Sequence, residues 1–270
     1  MKRIASPQKV KELLEEYGLD AKKSFGQNFL IEDKAVDEII EALEPKKEEL
    51  VIEIGPGLGA LTEALLEKDS KVVAIELDRD MAMILNKELA RRYNNLEVIN
   101  KDFLKSKWYM LKAPKIVGNL PYYITTPILM EIFQKETPWQ RLVFTIQWEV
   151  AKKLTAAPST KDYAQISVVS QCLAEVEIIA KFPPHYFLPQ PEVSSAVVLL
   201  KRRTPYLDSL LQQKLLEIIS LSFTNRRKTL RNNLKSIIPQ GWQSPIDLDR
   251  RAESLNYEEF ITLAQKLTYL

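Results

Sequence analysis

An α/β fold with a doubly wound, mostly parallel sheet, followed by a small all-helical domain, is what this 270-residue sequence predicts. Three observations carry the prediction. From about residue 50 to 200, strand-like apolar runs alternate with segments of helical period, the pattern of parallel strands joined by crossover helices. Three of only seven glycines (Gly55, Gly57 and Gly59) fall at one strand-to-helix turn, in a chain where average usage would supply about 19. From Leu207 onward every apolar pattern has the helical period.

The elements follow in order. The opening MKRIASPQKVKELLEEYG is amphipathic and lacks the apolar stretch of a secretion signal, so none is expected. LVIEIG (50–55) reads as a strand entering a helix over about 59–68, and KVVAIEL (71–77) as a strand entering one over about 80–91. LEVIN (96–100) and KIVGNL (115–120) are strands, PILMEIFQK a helix and RLVFTIQ (141–147) a strand. AEVEIIAKF and SSAVVLLK read as two late strands joined by the proline-rich FPPHYFLPQPEV, an antiparallel hairpin closing the sheet edge. Helices are then expected through LDSLLQQKLLEIISLSF, RRKTLRNNLKSII and NYEEFITLAQKL. The domain boundary is placed at Thr204-Pro205, giving domains 1–204 and 205–270.

Composition excludes several classes. The chain is 46% hydrophobic and 27% charged, which is ordinary for a globular protein and not for a disordered one. Its one cysteine, Cys172, cannot form an internal disulfide. No apolar run approaches the roughly 20 residues of a membrane helix, so no membrane association and a cytoplasmic location are expected. The net charge is only +2, but residues 201–235 hold nine Lys/Arg against two acids. Such a basic stripe, with Arg226, Arg227, Lys228 and Arg231 at an expected helix start, is the footprint of a nucleic-acid binder holding phosphates. A solvated helix face is the bland alternative.

Glu53-Ile54-Gly55-Pro56-Gly57-Leu58-Gly59 sits where a glycine turn lets a ligand approach the main chain. Glu76, at the end of the second strand, can accept two hydrogen bonds from ribose hydroxyls. Asp102, ending the third strand, can reach an adenine amino group or its neighbourhood. Gly55-x-Gly57-x-x-Ala60 also fits the dinucleotide fingerprint, which alone is a weak signal. The third glycine, the acid at Glu53 and the second strand-end acid at Asp102 favour S-adenosylmethionine, whose amino and sulfonium charges suit a nearby carboxylate.

Asn119-Leu120-Pro121-Tyr122 ends the next strand. The exocyclic amine of adenine is a poor nucleophile because its lone pair is delocalised into the ring. The Asn119 side-chain oxygen and the Leu120 carbonyl, fixed by Pro121, can accept from its two N–H groups and aim the lone pair at a methyl donor. Tyr122 can stack on the base. This chemistry calls for no metal, and the single histidine, His185, reads as a loop or packing residue.

These motifs, with Lys23-Ser24-Phe25-Gly26-Gln27-Asn28-Phe29-Leu30, PPHYFLPQPEVSSAVV, Thr224 to Asn232 and Asp249 to Glu253, resemble the 16S ribosomal RNA adenine dimethyltransferase family over nearly the whole chain. The resemblance implies a Rossmann-like methyltransferase core and transfer of methyls to N6 of two adjacent adenines near the 3′ end of small-subunit RNA. It further implies cofactor contacts from Asn28, Leu30, Gly55, Gly57, Glu76, Asp102 and Asn119. Phe187 would stack on the adenine opposite Tyr122. The implied partner is 16S ribosomal RNA within the small subunit, with the chain as a monomer. Tyr163-Ala164-Gln165 departs from the Tyr-Gly-Arg common in relatives, which puts a backbone or RNA contact there in doubt. Three rivals stand beside this reading. One is a 23S RNA adenine methyltransferase conferring macrolide resistance, usually with Ile in place of Leu120. The others are a small-subunit assembly checkpoint factor and an NAD-dependent dehydrogenase.

Overall fold

The computed structural model describes residues 3–22 and 26–269. Lys23, Ser24 and Phe25, the start of the first quoted motif, lie outside the described residues. The elements are α1 (Pro7–Glu16), β1 (Phe29–Leu30), α2 (Asp33–Leu43), β2 (Leu50–Ile54), α3 (Ala60–Glu67), β3 (Lys71–Glu76) and α4 (Arg79–Leu85). A π-helical turn, Asn86–Ala90, extends α4. Next come β4 (Leu96–Asn100), β5 (Lys115–Asn119), α5 (Thr125–Gln134), β6 (Arg141–Gln147), α6 (Trp148–Leu154) and α7 (Gln165–Leu173). The chain continues with β7 (Ala174–Phe182), β8 (Phe187–Leu188), β9 (Ser195–Arg202), α8 (Ser209–Ser222), α9 (Leu230–Asn233) and α10 (Tyr257–Thr268).

The chain forms two compact units, residues 1–132, 137–151 and 177–200 in one, and 133–136, 152–176 and 201–270 in the other. The first is built on the seven-stranded sheet, in the order β4-β3-β2-β5-β6-β9-β7. The pairs β2–β3, β2–β5, β3–β4 and β5–β6 are all parallel. Strands β2, β3, β5 and β6 are buried along nearly their whole length, because helices cover both faces of such a sheet. Strand β7, buried only at its two ends, alternates exposed and half-buried residues between them, as an edge strand with one solvated face does. The two late strands are neighbours, with β9 inside the sheet beside β6 and β7 at the rim. The strand order reverses between β2 and β5, and the crevice outside that switch point is where α/β sheets bind ligands.

In the second unit α7, α8 and α10 pack on one another. Asn256 caps α10 and exchanges hydrogen bonds with Glu259 in a capping box. The Tyr163 hydroxyl donates to the Leu255 carbonyl at 2.7 Å.

Two expectations are corrected here. The helix anticipated over 226–238 is a single turn, α9, preceded by turns from Phe223 to Arg227. The Leu230 and Arg231 amides donate to the carbonyls of Arg250 and Leu248, and Asn233 donates to those of Ser222 and Asn225. Those bonds use the groups that a continuous helix would need. The helical unit also takes in residues 152–176, ahead of the expected boundary at 204, because α7 packs on α8 and α10.

Candidate active site

A cleft with about 1120 Å³ of empty space, part of it open to solvent, lies at the carboxyl ends of β2, β3, β4 and β5. Asn28, Leu30, Gly55, Gly57, Glu76 and Asp102 all line it. So do Asn119, Leu120, Pro121 and Tyr122. Ten residues predicted from five separate stretches of sequence therefore share one wall system. The crossover topology, which gathers strand ends that are distant in sequence, produces the convergence.

Glu76, the last residue of β3, is held before any ligand arrives. Its two oxygens accept from the Gly57 amide at 3.0 Å and the Asp78 amide at 2.8 Å. Each oxygen keeps a lone pair for a further donor. Burial raises the Glu76 carboxyl above its ordinary range, and those two amides partly offset the rise. At Gly55 the backbone has φ +65°, and a Cβ would project into open space. A side chain there would occupy room that a ligand can fill.

Asp102 uses one oxygen to cap the turn that follows it, accepting from the Leu104 amide at 3.0 Å. Phe103 lines the cleft beside it, its ring stacked on Trp108 at 5.2 Å.

Glu53 also borders the cleft but is 1% exposed, and its carboxylate accepts from the Thr62 hydroxyl at 2.6 Å. Burial pushes its pKa up to about 8 from an ordinary 4.5, against the lowering bond from Thr62. A carboxyl whose pKa is raised on folding contributes stability in full below its unfolded value, and loses it as pH rises through the folded value. Glu53→Gln should therefore match the wild type near pH 4.5 and become more stable than it toward pH 8. The gap should grow by about 1.4 kcal/mol per pH unit at most. Urea midpoints at pH 5, 7 and 9 measure it; a constant difference would mean the carboxyl stays ionised on folding.

At the other wall, Asn119 donates its Nδ2 to the Asn28 carbonyl at 2.8 Å. With the amide nitrogen so engaged, Oδ1 is the end left for a ligand, and among the described residues it accepts no hydrogen bond. The Leu120 amide donates to the Thr145 carbonyl at 3.0 Å, which fixes the Asn119–Leu120 peptide plane. The Tyr122 hydroxyl lies 2.8 Å from Ser195 Oγ, which fixes the ring.

Phe187 departs from its expected place. It is 1% exposed, belongs to the apolar core and pairs with Leu30 in the short β1–β8 ladder. It does not line the cleft. The apolar neighbours of the proline-rich loop draw it inward. The exposed aromatic at the cleft is Tyr123, 60% accessible, which sequence reasoning passed over. Its position beside Tyr122 was the available signal. The His185 ring meets the edge of Tyr186 and does not line the cleft.

The four basic residues expected to hold RNA phosphates divide into two pairs. Arg226 reaches Glu253 and the Tyr163 carbonyl, and Arg231 grips Asp249 at 2.8 Å. Arg227 and Lys228 are exposed, and among the described residues their side chains have no ion pair or hydrogen bond. Ala164 and Gln165 lie at the start of α7, where the Ala164 amide donates to Ser167 Oγ.

Among the described residues, no helix is long and apolar enough to cross a membrane. Residues 18–268 match the family model described as "Ribosomal RNA adenine dimethylase". The chain is 41% identical to the "Ribosomal RNA small subunit methyltransferase A" of Bacillus mycoides over 99% of its length and 98% of that protein's. The protein of the same name from Bacillus cereus is equally similar. The crystal structure of a dimethyladenosine transferase from Plasmodium falciparum shares the fold, with TM-score 0.74 and 23% identity, covering 86% of this chain and 94% of that one. The 23S rRNA methyltransferase ErmE superposes with TM-score 0.67 at 27% identity, covering 89% of this chain and 99% of that one.

Proposed function

Because the chain belongs to the ribosomal RNA adenine dimethylase family, we propose that it methylates N6 of two adjacent adenines near the 3′ end of 16S ribosomal RNA in the small subunit. The methyl donor is S-adenosylmethionine, and the role is a step in small-subunit biogenesis. The observation that carries the reading is the Asn119 amide in the cleft wall, anchored through its nitrogen so that its oxygen is the end left free to accept.

The residues present suit this donor. Glu76 offers two pre-oriented oxygens for ribose hydroxyls, Gly55 leaves open space beside the main chain, and Asp102 and Phe103 flank a position for an adenine. Asn28, Leu30 and Gly57 complete the proposed contacts. When bound, S-adenosylmethionine supplies an electrophilic methyl group. The protein's part is orientation. Asn119 Oδ1 and the Leu120 carbonyl accept from the target amine, drawing its nitrogen toward tetrahedral geometry, and their dipoles oppose the positive charge that develops there. Tyr122, braced by Ser195, offers a ring face to the base. The target adenines must leave their stack to reach these groups, so the substrate is single-stranded or loop RNA. No step calls for a metal or a second copy of the chain, and a ribosomal substrate fits a cytoplasmic location.

Full-length identity of 41% to small-subunit enzymes, against 27% to the 23S enzyme, supports the 16S reading over its rival. The deciding experiment is methyl transfer onto unmethylated small subunits, followed by mapping of the modified bases. Two adjacent N6-dimethyladenines near the 3′ end are expected. Modification of 23S RNA instead, with no transfer to small subunits, would overturn it.

Arg227 and Lys228 are proposed as the principal phosphate contacts, with Arg226 and Arg231 first holding their own turn in place. Replacing Arg227 and Lys228 by Ala should reduce the slope of log affinity against log salt by about 1.4–1.8. Replacing Arg226 and Arg231 should change the slope less and lower the melting temperature. Fluorescence anisotropy of labelled RNA over a salt series separates the two; an unchanged slope in the first variant would make the basic turn a solvated face.

A further inference from the structure

We propose that Asp78 is a positioning residue for the transfer step, acting through Gln27 and Asn28 to fix the direction of the Asn119 amide. The proposal rests on the reading of Asn119 given above.

The chain of contacts is continuous. Asp78 follows β3 and is 3% exposed. Its Oδ1 accepts from the Asp80 amide at 3.0 Å and from Lys22 Nζ at 2.9 Å, and its Oδ2 accepts from Gln27 Nε2 at 2.8 Å. The Gln27 oxygen in turn accepts from the Lys22 amide at 2.8 Å. The Gln27 side chain is thereby held at both ends, which fixes the adjoining Asn28 backbone. The Asn28 carbonyl is the group that receives Asn119 Nδ2. On its other side the Asp78 amide donates to Glu76. One two-residue turn thus holds the carboxylate at one wall of the cleft and, through a short segment, the amide at the other.

Direction matters because an amide is a donor at one end and an acceptor at the other. Were the Asn28 carbonyl to shift, the Asn119 amide could rotate and present N–H groups to an amine that needs acceptors. A carboxylate suits position 78 because it only accepts, and three donors converge on it.

The test exploits that asymmetry. Asp78→Asn sets an NH₂ group against the Gln27 NH₂, and Gln27→Glu sets two carboxylates face to face. The double variant restores a donor opposite an acceptor. The amide introduced at position 78 then donates to the carboxylate introduced at position 27, while its oxygen still accepts from Lys22 and Asp80. Each single variant should slow single-turnover methyl transfer by about tenfold to a hundredfold, and the double should return close to the wild-type rate. Asp78→Asn added to Asn119→Ala should cost little more than Asn119→Ala alone, because both act on one amide. The side-chain amide resonance of Asn119 in ¹⁵N-labelled protein without ligands should shift in each single variant and return in the double. Thermal melts confirm folding.

Single variants with an unmoved Asn119 resonance would overturn the proposal, as would rate losses that simply multiply with Asn119→Ala. Absence of methyl transfer by the wild type would instead sink the functional reading. The resonance would then still decide whether Asp78 orients Asn119.

Discussion

Asn119→Ala is expected to lower single-turnover methyl transfer by a factor on the order of 10²–10³, the usual loss for one preorganised dipole. Binding to the small subunit should change little, since the basic residues proposed to hold phosphates are left in place. The reason lies in when the oxygen acts. Its attraction is modest toward a neutral amine and grows as the nitrogen gains positive charge, so the transition state loses more than the bound state. Asn119→Asp sharpens the test. It keeps an oxygen toward the amine, but its other oxygen meets the Asn28 carbonyl, which now accepts from Nδ2 at 2.8 Å. Two acceptors then face each other, and the Asp variant should also be slow. The measurement is made at saturating cofactor with unmethylated subunits. A rate within about tenfold of wild type for Asn119→Ala would remove the residue from the chemistry. Equal losses of rate and subunit binding would point to a disturbed core.

The cleft was legible in the sequence wherever one short stretch carries both an element and its end. Parallel strands buried on both faces read as apolar runs, and Glu76, Asp102 and Asn119 stand at or just past their carboxyl ends. Glycines at a strand-to-helix turn announced the loop in the same way. What did not show were features made by contacts across the chain. The β1–β8 ladder joins two residues near position 29 to two near 187, too short to leave a periodic pattern. It explains why Phe187 is a core residue where a stacking surface was expected. Residues 152–176 join the helical unit through packing that no local signal encodes. The basic stripe was visible as charge, but the ion pairs that engage Arg226 and Arg231 were not, because their acids lie 27 and 18 residues further along the chain.

Gly118→Ala should be the most disruptive single-methyl addition in the first unit, and it tests the strand spacing that holds the cleft. Gly118 precedes Asn119 on β5, next to β2. A Cβ there would sit 2.5 Å from the Ile54 carbonyl oxygen, 3.0 Å from Leu120 Cδ2 and 3.3 Å from Ile54 Cβ. The nearest atom is backbone, so no side-chain rotation relieves the clash, and β5 must move away from β2. Overpacking of this kind costs about 1–3 kcal/mol. For a chain of this size that lowers Tm by about 2–4 °C per kcal/mol. The movement falls between Gly55 and Asn119, so the rate should drop as well, unlike a simple loss of stability. Gly241→Ala is the control: φ is +75° there but a Cβ would meet nothing within 4 Å, so only backbone strain is added. It should cost about 1–2 kcal/mol and leave single-turnover transfer at the wild-type rate. Calorimetric melts and single-turnover rates of the two variants give the comparison. A Gly118→Ala protein that melts and methylates like the wild type would show that β2 and β5 need not lie this close for Asn119 to work.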